Sequence, residues 1–348
     1  MTGPVAIAVS GGIDSLVAAH LLKQQDRDIF GIHFLTGHER RDEADSRQIA
    51  DIGRQLDIPV SVVDLRVPFQ QKVVDYFTTA YGRGETPNPC LVCNSTIKFG
   101  ELLAAARRQG AACLATCHYA RLQRGPSGRL RLLRGVDAGK DQSYFLSRLT
   151  REQLERACFP LGTRTKAQVR ALAERNGLVP TTRRESQDVC FIRDGAYADF
   201  LEGATGFRPQ PGEIVDVDGN RVGRHNGLHR YTIGQRRGIN CPASQAYYVV
   251  RIDARRNRLV VGFKDALSAG HCRVRDINWI ADPPEGEAVV DTRIRYRHHA
   301  AASTLCPDGP DRARIRFDRP QAAVTPGQGA VFYRGEEVLG GGWIADGG

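Results

Sequence analysis

The hexapeptide Ser10-Gly11-Gly12-Ile13-Asp14-Ser15 lies between the apolar run "PVAIAV" (4–9) and the amphipathic stretch "LVAAHLLKQQ" (16–25). A strand that ends in paired glycines and opens a helix leaves few architectures open. The glycines let the backbone approach a phosphate closely, and the helix start aims N–H groups and the positive dipole end at an anion. Ser10 and Ser15 add hydroxyl donors. Asp14 would be repelled by a phosphate unless a divalent cation lay between them, which implies Mg²⁺. No Gly-Lys-Ser/Thr ending follows, so the loop is not that of P-loop ATPases and GTPases.

The same rhythm continues downstream. "DIFGIHFL" (28–35), "VSVVDL" (60–65) and "ACLAT" (112–116) read as strands. Helical stretches are expected at 42–56, 67–81 and 95–109, the last closed by Gly110. Strands alternating with helices predict a parallel sheet covered on both faces, with ligands beyond the carboxyl ends of the strands. From about 140 the pattern changes to short helices separated by Pro and Gly, with no strand expected between them. From about 207 short alternating runs and an Asp-Gly turn predict a small β-barrel. The expected organisation is therefore α/β plus β: a nucleotide-binding domain (1–145), a small, mostly helical central domain (146–206) and a C-terminal barrel (207–348).

No run of eighteen apolar residues occurs and the chain opens without a basic leader, which predicts a cytoplasmic protein. The net charge is +10, spread over both halves and carried mostly by arginine. A broad arginine-rich surface suits a polyanion such as RNA. Nine cysteines in such a chain point to metal-binding or reactive thiols rather than a disulfide framework.

Cys90 and Cys93 stand in "TPNPCLVCNSTIKF" (86–99), and Cys190 in "ESQDVCFI" (185–192). Four readings of the Cys90/Cys93 pair are open. A zinc site lacks a second pair and needs Cys190 and an outside ligand. A thioredoxin-like redox pair sits in the wrong local context. Buried structural thiols are the plain alternative. Reactive thiols beside an ATP site are favoured by the position of Cys93 near a helix start, where the dipole lowers a thiol pKa.

The strand–SGGxDS–helix unit resembles the loop of the ATP-pyrophosphatase superfamily, an adenine-nucleotide alpha-hydrolase-like fold. Together with "TPNPCLVCN-xxIKF", "RLLRGVDAGKDQSYFL", "ESQDVCFI", "IGQRRGI", "RYRH" and "AVTPGQGAVFY…LGGGWI", which run in order from residue 5 to 344, it resembles the tRNA-specific 2-thiouridylases. The resemblance implies ATP-dependent thiolation of C2 of the wobble uridine, with a persulfide relay protein supplying the sulfur. It implies Cys190 as the persulfide carrier, Cys93 as the nucleophile that resolves it, and Asp14 in the catalytic loop. Ala8, Val9, Ser10, Gly11, Gly12, Ile13, Asp14, Ser15 and Phe34 would hold ATP, with Cys117 beside the nucleotide. Asn88, Pro89 and Cys90 would meet the target base. His118, Lys140, Asp141, Gln142, Arg295, Tyr296 and Gln328 would touch tRNA. A monomer is expected.

Two positions depart from the family pattern. Cys117 replaces a small glycine, and Cys90 stands where one branch keeps an aspartate with an acid/base role. Cys90, Cys93 and Cys190 then make three thiols suited to a [4Fe–4S] cluster that would carry the sulfur instead. Two other functions compete: an ATP-dependent ligase sharing only the first loop, and a tRNA-binding protein without catalysis.

Overall fold

A computed structural model of the chain describes residues 3–39, 46–181, 189–192, 197–204 and 206–347. The first part of the helix expected at 42–56, the first four residues of "ESQDVCFI" and Gly348 lie outside the described residues. Two compact units divide the chain, one made of 1–73, 90–191 and 336–339, the other of 74–89, 192–335 and 340–348. They cut it elsewhere than the expected boundaries at 145 and 206.

The first unit is built on β1 (Val5–Ala8), β2 (Ile29–Leu35), β3 (Val60–Asp64), β4 (Cys113–Ala115) and a fifth strand, Ala157–Cys158. All neighbours pair in parallel, with β1 between β2 and β4. Val5, Ala6 and Ile7 are fully buried, as expected of a central strand covered on both faces. Helices α1 (Ile13–Lys23) and α2 (Ser46–Leu56) follow β1 and β2. The strand Ala157–Cys158 falls within the stretch where no strand was expected. It extends the sheet beyond β4 through Leu114↔Ala157 and Ala115↔Cys158, so the helix Lys166–Arg175 belongs to the nucleotide-binding unit. The chain order of the sheet reverses at β1, which places a crevice beyond the carboxyl ends of β1 and β4.

A continuous helix runs over 89–108. It is α-helical at Pro89–Val92, widens to i→i+5 hydrogen bonding over Cys93–Leu102 and returns to α at Leu103–Arg108. Gly110, at φ +91°, closes it as expected.

The second unit contains a four-stranded sheet from residues 212–262 and a closed barrel. The barrel strands are Ser268–Trp279, Ala288–Arg293, Ala301–Pro307, Ala313–Ala322, Gly329–Arg334 and, from Gly340 onward, the final strand. The first barrel strand pairs with both Ala313–Ala322 and the final strand, so the barrel leaves no edge. A C-terminal barrel is present as the sequence predicts, but it starts at Ser268 rather than near 207, and residues 212–262 form a sheet of their own.

Candidate active site

The loop after β1 is shaped by its own side chains. Gly11 takes φ +76°, and a Cβ there would lie 2.1 Å from Thr181 Oγ1, so only glycine fits. Thr181 N–H donates to the Gly11 carbonyl at 2.9 Å, fixing the loop from outside. The buried Ser15 hydroxyl donates to the Gly12 carbonyl at 2.8 Å. It holds the turn rather than standing open to a phosphate, as the sequence reading had it. Ser15 N–H turns back to the Gly12 carbonyl at 3.0 Å, so the donors that the helix start leaves for an anion are the N–H groups of Ile13 and Asp14.

Asp14 is not left waiting for a divalent cation. Both of its carboxylate oxygens lie 2.8 Å from the Lys166 ammonium, and the Tyr119 hydroxyl donates to Oδ1 at 2.9 Å. Lys166 opens the helix Lys166–Arg175, whose start is fixed by a capping box between Thr165 and Gln168. It is only 7% exposed. Sequence reasoning missed Lys166, because its partner lies 152 residues away and only that capping box marks the local sequence.

Phe34 is the last residue but one of β2 and Cys117 follows β4, so both stand at the carboxyl ends with the loop. Burial pushes the Cys117 thiol pKa up. His118 is buried, its Nδ1 is 2.8 Å from Thr116 Oγ1, and burial holds its pKa well below the usual range, so it is neutral. Asp141 is also buried and accepts from Gly135 N–H (3.1 Å), Ser143 N–H (3.0 Å) and Ser143 Oγ (3.1 Å). Gln142 accepts from Tyr119 N–H at 3.0 Å. His118, Asp141 and Gln142 thus use their polar atoms inside the unit; of the segment expected to touch tRNA, Lys140 remains half-buried at its rim.

Cys90, Cys93 and Cys190 all belong to the first unit, Cys190 exposed and the other two half-buried. Cys190 lies near enough to raise the thiol pKa of both, although far from them in sequence. Burial is the larger cause, and pushes Cys90 up to about 11 and Cys93 to about 12. This reverses the expectation for Cys93. The helix begins at Pro89, so Cys93 lies in its second turn, away from the terminal N–H groups, and desolvation outweighs the dipole. Lys98 is the cation whose field opposes these shifts, and it acts on Cys190 as well. Among the described residues no group of three or more His, Cys, Asp or Glu converges to hold a metal ion.

In the second unit, Gln328 Nε2 donates to the carbonyls of Thr86 (3.0 Å) and Pro87 (3.2 Å), immediately before Asn88 and Pro89. Gly327, at φ +87°, is forced by the same approach: a Cβ would lie 2.8 Å from Glu85 Cβ. Gln328 therefore holds the loop that was expected to meet the base. Arg295 is exposed and donates to the Ala322 carbonyl at 3.2 Å. The Arg293 guanidinium lies 5.5 Å from the Tyr296 ring centroid, which fixes that ring beside it.

Comparison with known proteins accounts for the whole chain. Residues 3–194 match the tRNA methyl transferase HUP domain, 198–263 the tRNA methyl transferase PRC-barrel domain and 269–344 the aminomethyltransferase beta-barrel domain. The chain is 54% identical to a tRNA-specific 2-thiouridylase of Desulfosudis oleivorans, over 98% of this chain and 94% of the relative. The chain belongs to the tRNA-specific 2-thiouridylase family. A 2-thiouridylase of Geobacter metallireducens is 45% identical over 98% of this chain and 96% of its own. Among solved structures, a U34-tRNA thiolase from Methanococcus maripaludis with its [4Fe-4S] cluster is 18% identical, at a TM-score of 0.35 over 59% of this chain and 64% of its own. That likeness is too slight to bear on the site. Among the described residues no helix is long and apolar enough to cross a membrane.

Proposed function

We propose that the chain is an ATP-dependent tRNA-uridine 2-sulfurtransferase that installs 2-thiouridine at the wobble position. The observation that carries this reading is the union, in one unit, of the SGGIDS loop with Cys93 and Cys190, the second near enough for its charge to act on the first.

Uridine C2 is a poor electrophile because its oxygen is a poor leaving group. Transfer of AMP from ATP to that oxygen, with release of pyrophosphate, makes it a good one. The loop of residues 8–15 would bind the phosphates through backbone N–H groups, with Phe34 and Cys117 beside the adenosine. Asp14 is the carboxylate that would meet the Mg²⁺ accompanying ATP; a cation there competes with Lys166. Asn88, Pro89 and Cys90 would border the flipped-out base, while Lys140, Arg295 and Tyr296 supply phosphate and stacking contacts to tRNA.

A persulfide on Cys190, loaded by a relay protein, supplies the sulfur. Its terminal sulfur bonds to C2 as the C2–O bond breaks and AMP leaves with the electron pair. Cys93 attacks Cys190 Sγ, and the S–S bond breaks with its electrons passing to the transferred sulfur. A Cys93–Cys190 disulfide remains, and a dithiol reductant resets it.

The action of Cys190 on both Cys90 and Cys93 also favours a second reading, in which the three hold a [4Fe–4S] cluster. The three-thiol donor set suits such a cluster, but its convergence does not appear among the described residues. Anaerobic absorption spectra with iron and sulfide analysis separate the two readings, since a colourless active enzyme excludes the cluster.

The function is tested with the full chain, unmodified tRNA, MgATP and a persulfide donor, reading 2-thiouridine by nucleoside mass spectrometry. Cys190→Ser and Cys93→Ser should abolish product while tRNA-dependent pyrophosphate release continues. Product from Cys190→Ser at the wild-type level would refute the persulfide route. Pyrophosphate release abolished by Asp14→Ala would exclude a protein that merely binds tRNA.

A further inference from the structure

Lys98 has no role in the reading above. It is half-buried, and no hydrogen-bond acceptor or carboxylate pairs with its ammonium among the described residues. The widened helix explains its position. In an α-helix, a residue five places on lies about 140° around the axis. The i→i+5 bonding over Cys93–Leu102 returns position 98 to the face of position 93. Leu103 N–H donates to the Lys98 carbonyl in this register.

The register is held by side chains from another element and from the helix itself. Gln153 Nε2 donates to the carbonyls of Ser95 (2.8 Å) and Phe99 (3.0 Å), and Thr96 Oγ1 donates to the Val92 carbonyl (2.9 Å). Widened turns of this kind concentrate at functional sites. The ammonium's field reaches Cys117 and His118 at the nucleotide end, and Cys90, Cys93 and Cys190 at the sulfur end. Lys166, the other lysine at the nucleotide end, is engaged by Asp14. A half-buried ammonium is costly to leave unpaired, so an anion arriving with substrate completes it.

We infer that Lys98 is a catalytic residue of the sulfur-transfer step, its ammonium holding the phosphate of the adenylated uridine and stabilising AMP as it departs. The inference rests on the proposed function. As sulfur bonds to C2 and the C2–O bond breaks, the phosphate passes from a diester with one negative charge to a monoester approaching two. A fixed cation facing that change stabilises the transition state more than the ground state.

The test is single-turnover kinetics with the full chain, unmodified tRNA, MgATP and inorganic polysulfide, following pyrophosphate, AMP and 2-thiouridine separately. Lys98→Gln should release pyrophosphate within about threefold of wild type, yet form 2-thiouridine and AMP about 10²–10³-fold more slowly. Lys98→Arg, which keeps the charge, should stay within about tenfold of wild type. Sulfur transfer by Lys98→Gln at the wild-type rate would overturn the inference. So would equal loss of pyrophosphate release, which would assign Lys98 to ATP binding or folding, or Lys98→Arg as slow as Lys98→Gln. Wild-type enzyme that releases pyrophosphate but forms no 2-thiouridine overturns the functional reading itself.

Discussion

The Asp14–Lys166 pair can be measured as a unit by a double-mutant cycle. Lys166→Met leaves a carboxylate whose side chain is 28% exposed and whose remaining described partner is the Tyr119 hydroxyl. Breaking a buried ion pair costs about 3–5 kcal/mol, and the partial exposure of Asp14 puts this loss near 3 kcal/mol. Asp14→Asn strands an ammonium whose side chain is 8% exposed, at a similar or larger cost. The double variant carries neither uncompensated charge and should be no less stable than either single one, a coupling of about 3 kcal/mol. At about 2–4 °C per kcal/mol, each single variant should lower the thermal midpoint of the first unit by about 6–12 °C. Urea and thermal melts of the four proteins, followed by fluorescence, give the cycle. Additive losses in the double variant would refute the claim that the two side chains stabilise each other. All three variants should lack tRNA-dependent pyrophosphate release, because each removes a charge from the nucleotide end.

Two further outcomes follow from the geometry. With the Cys93 pKa at about 12, its thiolate fraction at pH 8 is on the order of 10⁻⁴. Its alkylation by iodoacetamide, read by peptide mass spectrometry, should therefore rise about tenfold per pH unit between 7 and 10; a plateau near pH 8 would contradict the burial argument. The shift has a stability counterpart: a thiol pKa raised from 9.0 contributes stability that is intact below pH 9 and is lost as pH climbs toward 12, so Cys93→Ser should soften the alkaline loss. Gln328→Ala removes two hydrogen bonds to the Thr86 and Pro87 carbonyls, worth about 1 kcal/mol each. It should lower kcat/KM for tRNA about 10–30-fold with the KM for ATP unchanged; an unchanged kcat/KM would show that Gln328 does not hold this loop.

What could be read from the sequence was local. The run Val5–Ala8, the paired glycines and the start of α1 form one contiguous signal, and the structure places them as expected. The strand Ala157–Cys158 has two residues and no periodicity to detect; its place is set by pairing with β4. The direction of the Cys93 shift was misjudged because the helix start was expected at 95, whereas Pro89 opens the first turn. Asp141 and Gln142 look like surface residues in "GKDQS", yet their hydrogen bonds to Gly135, Ser143 and Tyr119 turn them inward. Such commitments depend on segments that meet only in the folded chain, as does the contact of Asp14 with Lys166.

The resting site holds its reactive groups in check. Asp14 is neutralised by Lys166, and Cys90 and Cys93 are kept protonated by burial. A permanently ionised thiol next to a persulfide would discharge the sulfur before any base was activated, because thiolate attack on the S–S bond needs nothing further. Holding Cys93 near 12 makes that exchange slow until its surroundings change. In the proposed mechanism adenylation would bring a phosphate and sulfur loading a persulfide, both anions, into the reach of Lys98. Under the mechanism proposed here, the chemistry is ordered by charge: the anions that complete the site arrive with the substrates, and the sulfur is committed only when a leaving group is present to accept its electrons.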